Sequence, residues 1–233
     1  LMKIRPVILC GGSGTRLWAN HKNHQAKQFI DFGNWTLLGK TLERTKNQIF
    51  DVPLISTNLK YLKEIKKHLK KHKIKKYKII LEPAKMNTAP AMLSAALIKD
   101  VPDIQPLVFL SADHLIQKEK IFYKELIKHK KHLSNKNTFI FGIKPTNASR
   151  EYGYFLTKKN KNINQVVKFI EKPNQSKAKY LITKSGYWNS GIFFLRKDSI
   201  INNFKKYQLR TYNSCQKAVL KSKYLKNIYY LNK

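Results

Sequence analysis

A cluster of glycines near the amino terminus has the composition of a phosphate-binding turn. The apolar run Val7–Cys10 is typical of a buried strand, and it leads directly into Gly11–Gly14, a segment with three glycines in four positions. Glycine permits a tight turn in which successive N–H groups converge on an anion. Thr15 and Arg16 come next, which places a cation beside phosphates that the amides could hold. The segment therefore predicts a phosphate site, although a plain strand-to-helix turn could use the same glycines.

Two well-known phosphate loops do not fit this stretch. A Walker loop continues from its second glycine into Lys and then Ser or Thr, whereas Gly14 is followed by Thr15 and Arg16. A dinucleotide-binding fingerprint requires a third glycine at the position that Leu17 occupies. Both loop types are therefore excluded.

Carboxylates are scarce in this chain, which has 13 of them against 47 lysines and arginines. Three of them, Glu82, Asp113 and Glu171, directly follow predicted strands. At the carboxyl ends of parallel strands they would face the same side of the sheet as the glycine turn. Asp113 is a candidate Mg²⁺ ligand there, because Mg²⁺ binds one or two carboxylates together with phosphate oxygens and water. A helix N-cap is the alternative role for Asp113.

The elements that must position these residues alternate along the chain. Strands are predicted at 7–10, 54–56, 78–81, 107–110, 139–143, 154–157, 166–170 and 191–195, and helices at 37–47, 59–72, 89–100 and 122–133. The alternation favours an α/β fold with a Rossmann-like, mostly parallel sheet that is sandwiched by helices. From Tyr152 onward strands dominate, which predicts a strand-rich second half.

The formal net charge of +34 could indicate a nucleic-acid partner. The excess is nearly all lysine, however, and it lies on predicted helix surfaces. In the helix 59–72, apolar residues that begin with Leu59 share one face and lysines occupy the other. A solvated basic surface is therefore favoured over nucleic-acid binding. His68 and His72, like His129 and His132, have helical spacing but lie among lysines that oppose a metal cation, so surface histidines are expected.

Length and composition suit one domain with a real core, since the chain has 233 residues of which 42 % are hydrophobic. We expect a single domain over residues 1–233. Cys10 and Cys215 are too few for a disulfide framework, and no apolar run is long enough for a membrane span, so the cytoplasm is expected. The oligomeric state stays open, with a homodimer as one alternative.

A series of motifs over residues 7–196 resembles that of mannose-1-phosphate guanylyltransferases, within the sugar-1-phosphate nucleotidyltransferases. The motifs are Gly-Gly-Ser-Gly-Thr-Arg-Leu at 11–17, Glu-Pro-Ala-Lys-Met-Asn-Thr-Ala-Pro-Ala at 82–91, Leu-Ser-Ala-Asp-His at 110–114, Tyr-Gly-Tyr at 152–154, Phe-Ile-Glu-Lys-Pro at 169–173 and Trp-Asn-Ser-Gly at 188–191. The resemblance implies the nucleotide-diphospho-sugar transferase type of fold, with a nucleotide-binding half at 1–150 and a sugar-phosphate-binding half at 151–233. It also implies that GTP and mannose 1-phosphate are joined to give GDP-mannose and pyrophosphate, with Mg²⁺ as cofactor.

The resemblance also implies roles for individual residues. Catalytic roles fall to Arg16, Lys27, Asp113 and Lys172, with Asp113 as the metal ligand. The implied nucleotide-binding residues are Leu9, Gly11, Gly12, Ser13, Gly14, Thr15, Glu82, Pro83, Asn87 and Ala112. Gly153, Glu171 and Asn189 would bind the sugar hydroxyls, although Asn189 could instead serve the turn before Gly191. Trp188 is expected to pack rather than to contact a ligand.

The chain departs from the family pattern at several positions. Ala19 stands where proline is usual, Lys22 and Met86 stand where arginine is usual, and Ser111 replaces the proline before Asp113. Relative to the family the chain is short at its carboxyl end, where a second metal-binding aspartate is usual. These departures keep two alternatives open: a non-catalytic descendant that binds nucleotide, and a transferase for another nucleoside triphosphate or hexose 1-phosphate.

Overall fold

The computed structural model describes residues 2–12, 26–84, 87–160 and 163–232. It contains two compact units. The first is formed by Leu1–Thr138 together with Phe193–Lys233, and the second by Phe139–Ile192. The prediction of one domain over the whole chain, with halves that meet at residue 150, stays a prediction.

A parallel sheet is the centre of the first unit. Its strands are β1 (Arg5–Leu9), β2 (Leu54–Asn58), β3 (Lys78–Glu82), β4 (Pro106–Ser111), β9 (Lys223–Leu225) and β10 (Ile228–Tyr230). The order is β4-β1-β2-β3-β10-β9, and every neighbouring pair is parallel except β10 and β9. Residues 193–196 of strand β8 (Tyr187–Arg196) pair antiparallel with β4. Parallel strands require helical crossovers, which is why the sheet is covered on both faces.

Neighbouring residues of β1 show how the two faces are filled. Val7 and Ile8 are both fully buried but point to opposite sides, as the period of a strand requires. Val7 packs with residues of helices α3 (Thr88–Leu97), α6 (Lys197–Tyr207) and α7 (Leu209–Leu220). Ile8 packs with residues of α1 (Leu37–Arg44) and α2 (Leu62–Lys71). Helix α4 (Glu119–Lys130) contacts α1 through a bond between Arg44 and Glu119.

The amino ends of the helices follow ordinary capping chemistry at α1 but not at α2. The Thr36 side chain accepts a bond from the Gly39 N–H at 2.9 Å and so fixes the start of α1. Helix α2 begins at Leu62 after a 3₁₀ turn. Leu59 is 70 % exposed, so the prediction that it lies on the apolar face of the helix is wrong.

His68 is buried in α2, with Nδ1 2.8 Å from the Glu64 carbonyl oxygen, which corrects the expectation of a surface histidine.

The second unit has an antiparallel sheet and one helix. Its elements are β5 (Thr138–Ile143), β6 (Tyr154–Asn160), β7 (Ile163–Ile170), helix α5 (Gln175–Thr183) and the first part of β8. Strand β6 pairs antiparallel with both β7 and β8. Tyr154 is fully buried against Ala178 and Leu181 of α5, and its hydroxyl donates to the Ser149 carbonyl oxygen at 2.9 Å.

The predicted fold class, α/β with a mixed and mostly parallel sheet flanked by helices, is confirmed. Each predicted strand and helix has a counterpart, with shifted ends. Helices α5, α6 and α7 and the β9–β10 hairpin add structure to the second half beyond the predicted strands. Among the described residues, every helix is too short or too polar to cross a bilayer.

Candidate functional site

The glycine turn begins at the carboxyl end of β1, in the middle of the parallel sheet. The Cys10 N–H donates to the Ser56 carbonyl oxygen at 2.8 Å, and the Thr57 hydroxyl donates to the Cys10 carbonyl oxygen at 3.0 Å. Strand β2 therefore holds the backbone until Gly11 and Gly12 leave the sheet, as predicted. Ser13, Gly14, Thr15 and Arg16 lie outside the described residues, as do Lys22 and Met86.

The Gly12 carbonyl oxygen accepts bonds from two side chains that the sequence did not single out. Gln28 Nε2 lies 3.2 Å away, and the Tyr61 hydroxyl lies 3.4 Å away. Gln28 is buried, and the Tyr61 ring contacts the Phe29 ring with centroids 5.3 Å apart. Gln28 stands beside Lys27, so the resemblance could have indicated it. Tyr61 gave no comparable signal.

Glu82 lies beneath the glycine turn at the end of β3. Its side chain is buried, and Oε1 accepts a bond from the Ser56 hydroxyl at 2.6 Å. A Cβ at Gly11 would lie 3.9 Å from Glu82 Oε2, so the carboxylate and the turn are in van der Waals range. Pro83 follows and is half-buried, and the exposed Asn87 is the N-cap residue of α3. The structure thus brings two predicted nucleotide-binding residues, Gly11 and Glu82, together.

Asp113 follows β4 at the same edge of the sheet. Leu9 pairs with Ser111, and the Ala112 N–H donates to the Leu9 carbonyl oxygen at 3.1 Å, which ties the end of β4 to the end of β1. The Ser111 hydroxyl donates to Asp113 Oδ1, and Lys27 Nζ lies 3.8 Å from Asp113 Oδ2. The next helix, α4, begins at Glu119, so the N-cap alternative for Asp113 is wrong.

Burial shifts the pKa values of two side chains at this edge, those of Cys10 and His114. The pKa of the Cys10 thiol rises to about 12, mainly because the thiol is desolvated, while a hydrogen bond with Gln28 works in the opposite direction. Burial also lowers the pKa of His114, and the attraction of Asp113 only partly opposes that shift. His114 Nε2 lies 3.9 Å from Asp113 Oδ1. Near neutral pH the thiol and the imidazole are therefore uncharged.

The donor set fits a loosely held divalent cation better than a protein-only metal cage. Within the described ranges, His, Cys, Asp and Glu form no group of three that could hold a metal ion. The Asp113 side chain is about one-third exposed and lies at the edge of the sheet where Gly11 and Gly12 follow β1. One carboxylate with phosphate oxygens and water is a set that Mg²⁺ accepts, so the residues present fit that ion once a phosphate ligand is bound.

The second unit brings the three predicted sugar-binding residues together. A Cβ at Gly153 would lie 2.5 Å from Glu171 Oε2, so this carboxylate packs directly on the glycine. The Asn189 N–H donates to the Gly153 carbonyl oxygen at 2.8 Å. Asn189 Oδ1 accepts from the Gly191 N–H at 3.0 Å, so the turn role is present as well. Lys172, next to Glu171, is exposed and has a φ of 43°, a left-handed conformation that lysine seldom adopts.

The Trp188 ring packs as expected. Its centroid lies 4.8 Å from that of Tyr152 and 6.4 Å from that of Tyr154. Tyr154 is fully buried and is a core residue.

Comparisons with known proteins place these residues in a family context. A model of the family described as nucleotidyl transferase matches residues 5–230. Mannose-1-phosphate guanylyltransferase RfbM of Salmonella typhimurium is 33 % identical over 225 residues, which cover 94 % of this chain and 47 % of that protein. Mannose-1-phosphate guanylyltransferase 2 of Escherichia coli O157:H7 is 34 % identical over 231 residues, which cover 93 % of this chain and 48 % of that protein. The chain spans about half the length of the curated relatives it matches.

Solved structures agree on the fold. A Helicobacter pylori protein described as mannose-6-phosphate isomerase has a TM-score of 0.83 at 24 % identity and covers all of this chain, which in turn covers 87 % of it. A Thermus thermophilus protein described as mannose-1-phosphate geranyltransferase has a TM-score of 0.80 at 22 % identity, with coverage of 96 % of this chain and 66 % of that one. At such identities these likenesses concern the fold alone.

Proposed function

The chain belongs to the nucleotidyl transferase family, as its motifs predicted, and on that premise we propose that it joins GTP and mannose 1-phosphate to give GDP-mannose and pyrophosphate. The observation that carries the proposal is the edge where Gly11, Glu82, Asp113 and Lys27 meet. That edge combines a glycine turn, a base-recognising carboxylate, a metal-type carboxylate and a cation. The names of relatives at 33–34 % identity support the choice of substrates.

The reaction needs positioning and charge neutralisation more than a side-chain nucleophile. An oxygen of the sugar phosphate attacks the α-phosphorus of GTP in line, a new P–O bond forms, and the bond to the β-phosphate breaks as pyrophosphate leaves. Two polyanions must be brought together, so cations and oriented amides supply most of the rate gain.

The amides of the segment that begins at Gly11 hold the triphosphate in this proposal, and Arg16 balances charge on the leaving pyrophosphate. Lys27 and Lys172 bind the reacting phosphates. Asp113 would hold Mg²⁺, which supplies charge neutralisation on the phosphate oxygens when it is bound. The 3.8 Å contact of Lys27 with Asp113 supports these two roles, because each group leaves its partner for a phosphate or a metal ion when substrate arrives.

Glu82 is proposed to read the base. Guanine presents a ring N–H and an amino group side by side, and a carboxylate is a natural acceptor for that pair. The bond from Ser56 fixes Oε1 of Glu82, and the closeness of Oε2 to Gly11 supports a place beside the nucleotide. Pro83 and Asn87 line the same pocket in this proposal.

The sugar is proposed to bind at Gly153, Glu171 and Asn189. A hexose presents neighbouring hydroxyl groups, and the two oxygens of the Glu171 carboxylate can accept from two of them. Packing of the carboxylate against Gly153 supports this role, because a side chain at position 153 would push it away.

The test is pyrophosphate release from a panel of nucleoside triphosphates against hexose 1-phosphates, with Mg²⁺ and with a chelator. We expect the fastest release from GTP with mannose 1-phosphate, and none with the chelator. GTP binding by calorimetry without any turnover would overturn the proposal in favour of a non-catalytic descendant. A preference for another pair would overturn the substrates and keep the reaction class.

We further propose a reducing compartment such as the cytoplasm as its place of action. Cys10 and Cys215 are both free and buried, which supports that setting.

A further inference from the structure

Ser111 makes an unusual contact for the last residue of a core strand. It ends β4, opposite Leu9 of β1, and its hydroxyl donates to Oδ1 of Asp113, two residues further along the chain. The Ala112 N–H, bonded to the Leu9 carbonyl oxygen, fixes the backbone between the two residues. The hydroxyl and the carboxylate are therefore held by the same short stretch of anchored chain.

This contact gives the two oxygens of Asp113 different surroundings. Oδ1 accepts a hydrogen bond from the Ser111 hydroxyl and has His114 Nε2 at 3.9 Å. Oδ2 faces the ammonium group of Lys27 at 3.8 Å. Oδ1 thus accepts a hydrogen bond from the neighbouring chain segment, whereas Oδ2 faces the Lys27 ammonium group on the partly exposed side of the site.

We propose that Ser111 is a positioning residue that locks the Asp113 carboxylate so that Oδ2 is presented to a divalent cation. The inference rests on the proposed function, since it concerns the metal ligand of that site. A carboxylate already held in one orientation loses less rotamer freedom when it binds a cation, and its affinity rises accordingly.

In the family motif that this chain resembles, the position of Ser111 is occupied by proline. Proline has no side-chain donor and stiffens the backbone by fixing φ. Ser111 gives up that stiffness and supplies a hydrogen bond to the carboxylate instead. In this chain the Ser111 hydroxyl would therefore orient the aspartate in place of a stiffer backbone. Removal of the hydroxyl should weaken the binding of the metal ion.

The experiment measures how much Mn²⁺ improves the binding of GTP. The dissociation constant of GTP is determined by calorimetry with saturating Mn²⁺ and with EDTA. The value with EDTA divided by the value with Mn²⁺ is the ratio that reports the contribution of the metal. We expect Ser111→Ala to reduce that ratio by about tenfold. Ser111→Thr keeps a hydroxyl and should retain most of the wild-type ratio.

Two further variants separate positioning from general damage. Ser199→Ala removes another buried hydroxyl, which donates to the Asn137 carbonyl oxygen at 2.8 Å, and should leave the ratio unchanged. Asp113→Asn should make the two dissociation constants equal, because Mn²⁺ no longer improves GTP binding. Adding Ser111→Ala to this variant should cause no further loss, because Ser111 acts through Asp113.

A wild-type ratio in Ser111→Ala would overturn the inference, as would an equal loss in Ser199→Ala or a wild-type chain that gains nothing from Mn²⁺. Failure of the proposed function is a different result. Absence of pyrophosphate release in the wild-type chain, together with a lowered ratio in Ser111→Ala, would remove the reaction and keep the positioning role.

Discussion

Lys27 Nζ lies 3.8 Å from Asp113 Oδ2, although the two residues belong to distant parts of the sequence. Lys27 begins the 3₁₀ turn Lys27–Phe29, and Asp113 follows β4. Both side chains are about one-third exposed, so solvent screens their attraction and the pair adds little to stability. An ion pair of this kind can open at low cost, which suits two groups that must each turn to a phosphate or a metal ion.

Asp113→Asn should reduce the rate of pyrophosphate release by about two orders of magnitude or more, because the neutral amide holds a divalent cation far less well. The change should leave the melting temperature nearly unaltered. The rate is measured at several Mg²⁺ concentrations. Asp103→Asn is a matched control, since that carboxylate is 85 % exposed and pairs with Lys197. Full activity of Asp113→Asn would remove the assigned metal role.

The sequence predicted the acids of the site but not the side chains that hold them. Glu82 and Asp113 could be placed because the carboxyl ends of parallel strands share an edge. Ser56, which donates to Glu82, and Tyr61, which donates to the Gly12 carbonyl oxygen, could not be predicted, because their contacts join separate stretches of chain and no local pattern reports them.

The fold shows the same division. The crossovers of the parallel sheet followed from alternating patterns, whereas strand β10 enters the sheet beside β3 from the far end of the chain. Leu59 fits the helical period of α2 but lies in the 3₁₀ turn before it, where no neighbour covers it to any large extent. Periodicity therefore identified the elements, and tertiary pairing decided their ends and partners.

Gly153→Ala should raise the KM for mannose 1-phosphate by about tenfold or more while the KM for GTP changes little. The added methyl group would lie 2.5 Å from Glu171 Oε2 and 3.0 Å from the Phe169 ring. The carboxylate is the mobile end of an exposed side chain, so it moves aside and the fold survives. Steady-state kinetics for each substrate, with a thermal melt, measure the effect.

Gly142→Ala provides the steric control in the same unit. Its methyl group would lie 2.7 Å from Phe155 Cζ and 2.9 Å from Tyr187 Cβ, both in packed aromatic side chains. We expect a lower melting temperature without a selective change in either KM. Equal kinetic behaviour of the two variants would argue against a sugar-binding role for Glu171.

Both cysteines should be unreactive in the folded protein. Burial raises the pKa of Cys10 to about 12 and also raises that of Cys215, so neither forms an appreciable amount of thiolate at pH 8. A disulfide reagent added at pH 8 should react slowly with the native chain and rapidly, with two equivalents, in guanidinium chloride. Rapid reaction of one thiol in the native state, assigned with Cys215→Ser, would contradict the burial of that cysteine.

His68 should make stability fall as the pH drops below its ordinary pKa. Burial lowers the pKa of His68 most strongly, the charges of His72 and Lys71 add to that effect, and Glu64 opposes it. The unfolded chain takes up a proton near pH 6.5 and the folded chain resists it, so stability is present above that pH and is lost below it. His114 shifts in the same direction and adds to the slope.

Urea unfolding between about pH 7.5 and 5.5 measures this slope. His68→Gln removes the titration and should flatten the curve relative to wild type. Parallel curves for His68→Gln and wild type would show that this imidazole is not protonated on unfolding.

Glu119→Ala should lower the free energy of unfolding by about 2–3 kcal/mol, because it leaves a buried guanidinium without its carboxylate partner. Arg44 is 1 % exposed, its Nε donates to Glu119 Oε1 at 3.0 Å, and burial lowers its pKa. Tyr123 also donates to this carboxylate, at 3.1 Å. Arg44→Met removes the charge together with its need for a partner, so it should cost less than Glu119→Ala, and the double variant should be no worse than Glu119→Ala alone.

Glu125→Ala is the matched control for this prediction because Glu125 lies on the same helix, has a similar exposure, and contacts His129 at 3.2 Å rather than a buried guanidinium. Its loss should change stability by less than about 0.5 kcal/mol. Urea unfolding of the four variants gives the comparison. Equal effects of Glu119→Ala and Glu125→Ala would show that the Arg44 charge is compensated from elsewhere, whereas a large difference would establish that one carboxylate at the start of α4 neutralises a cation that α1 carries into the core.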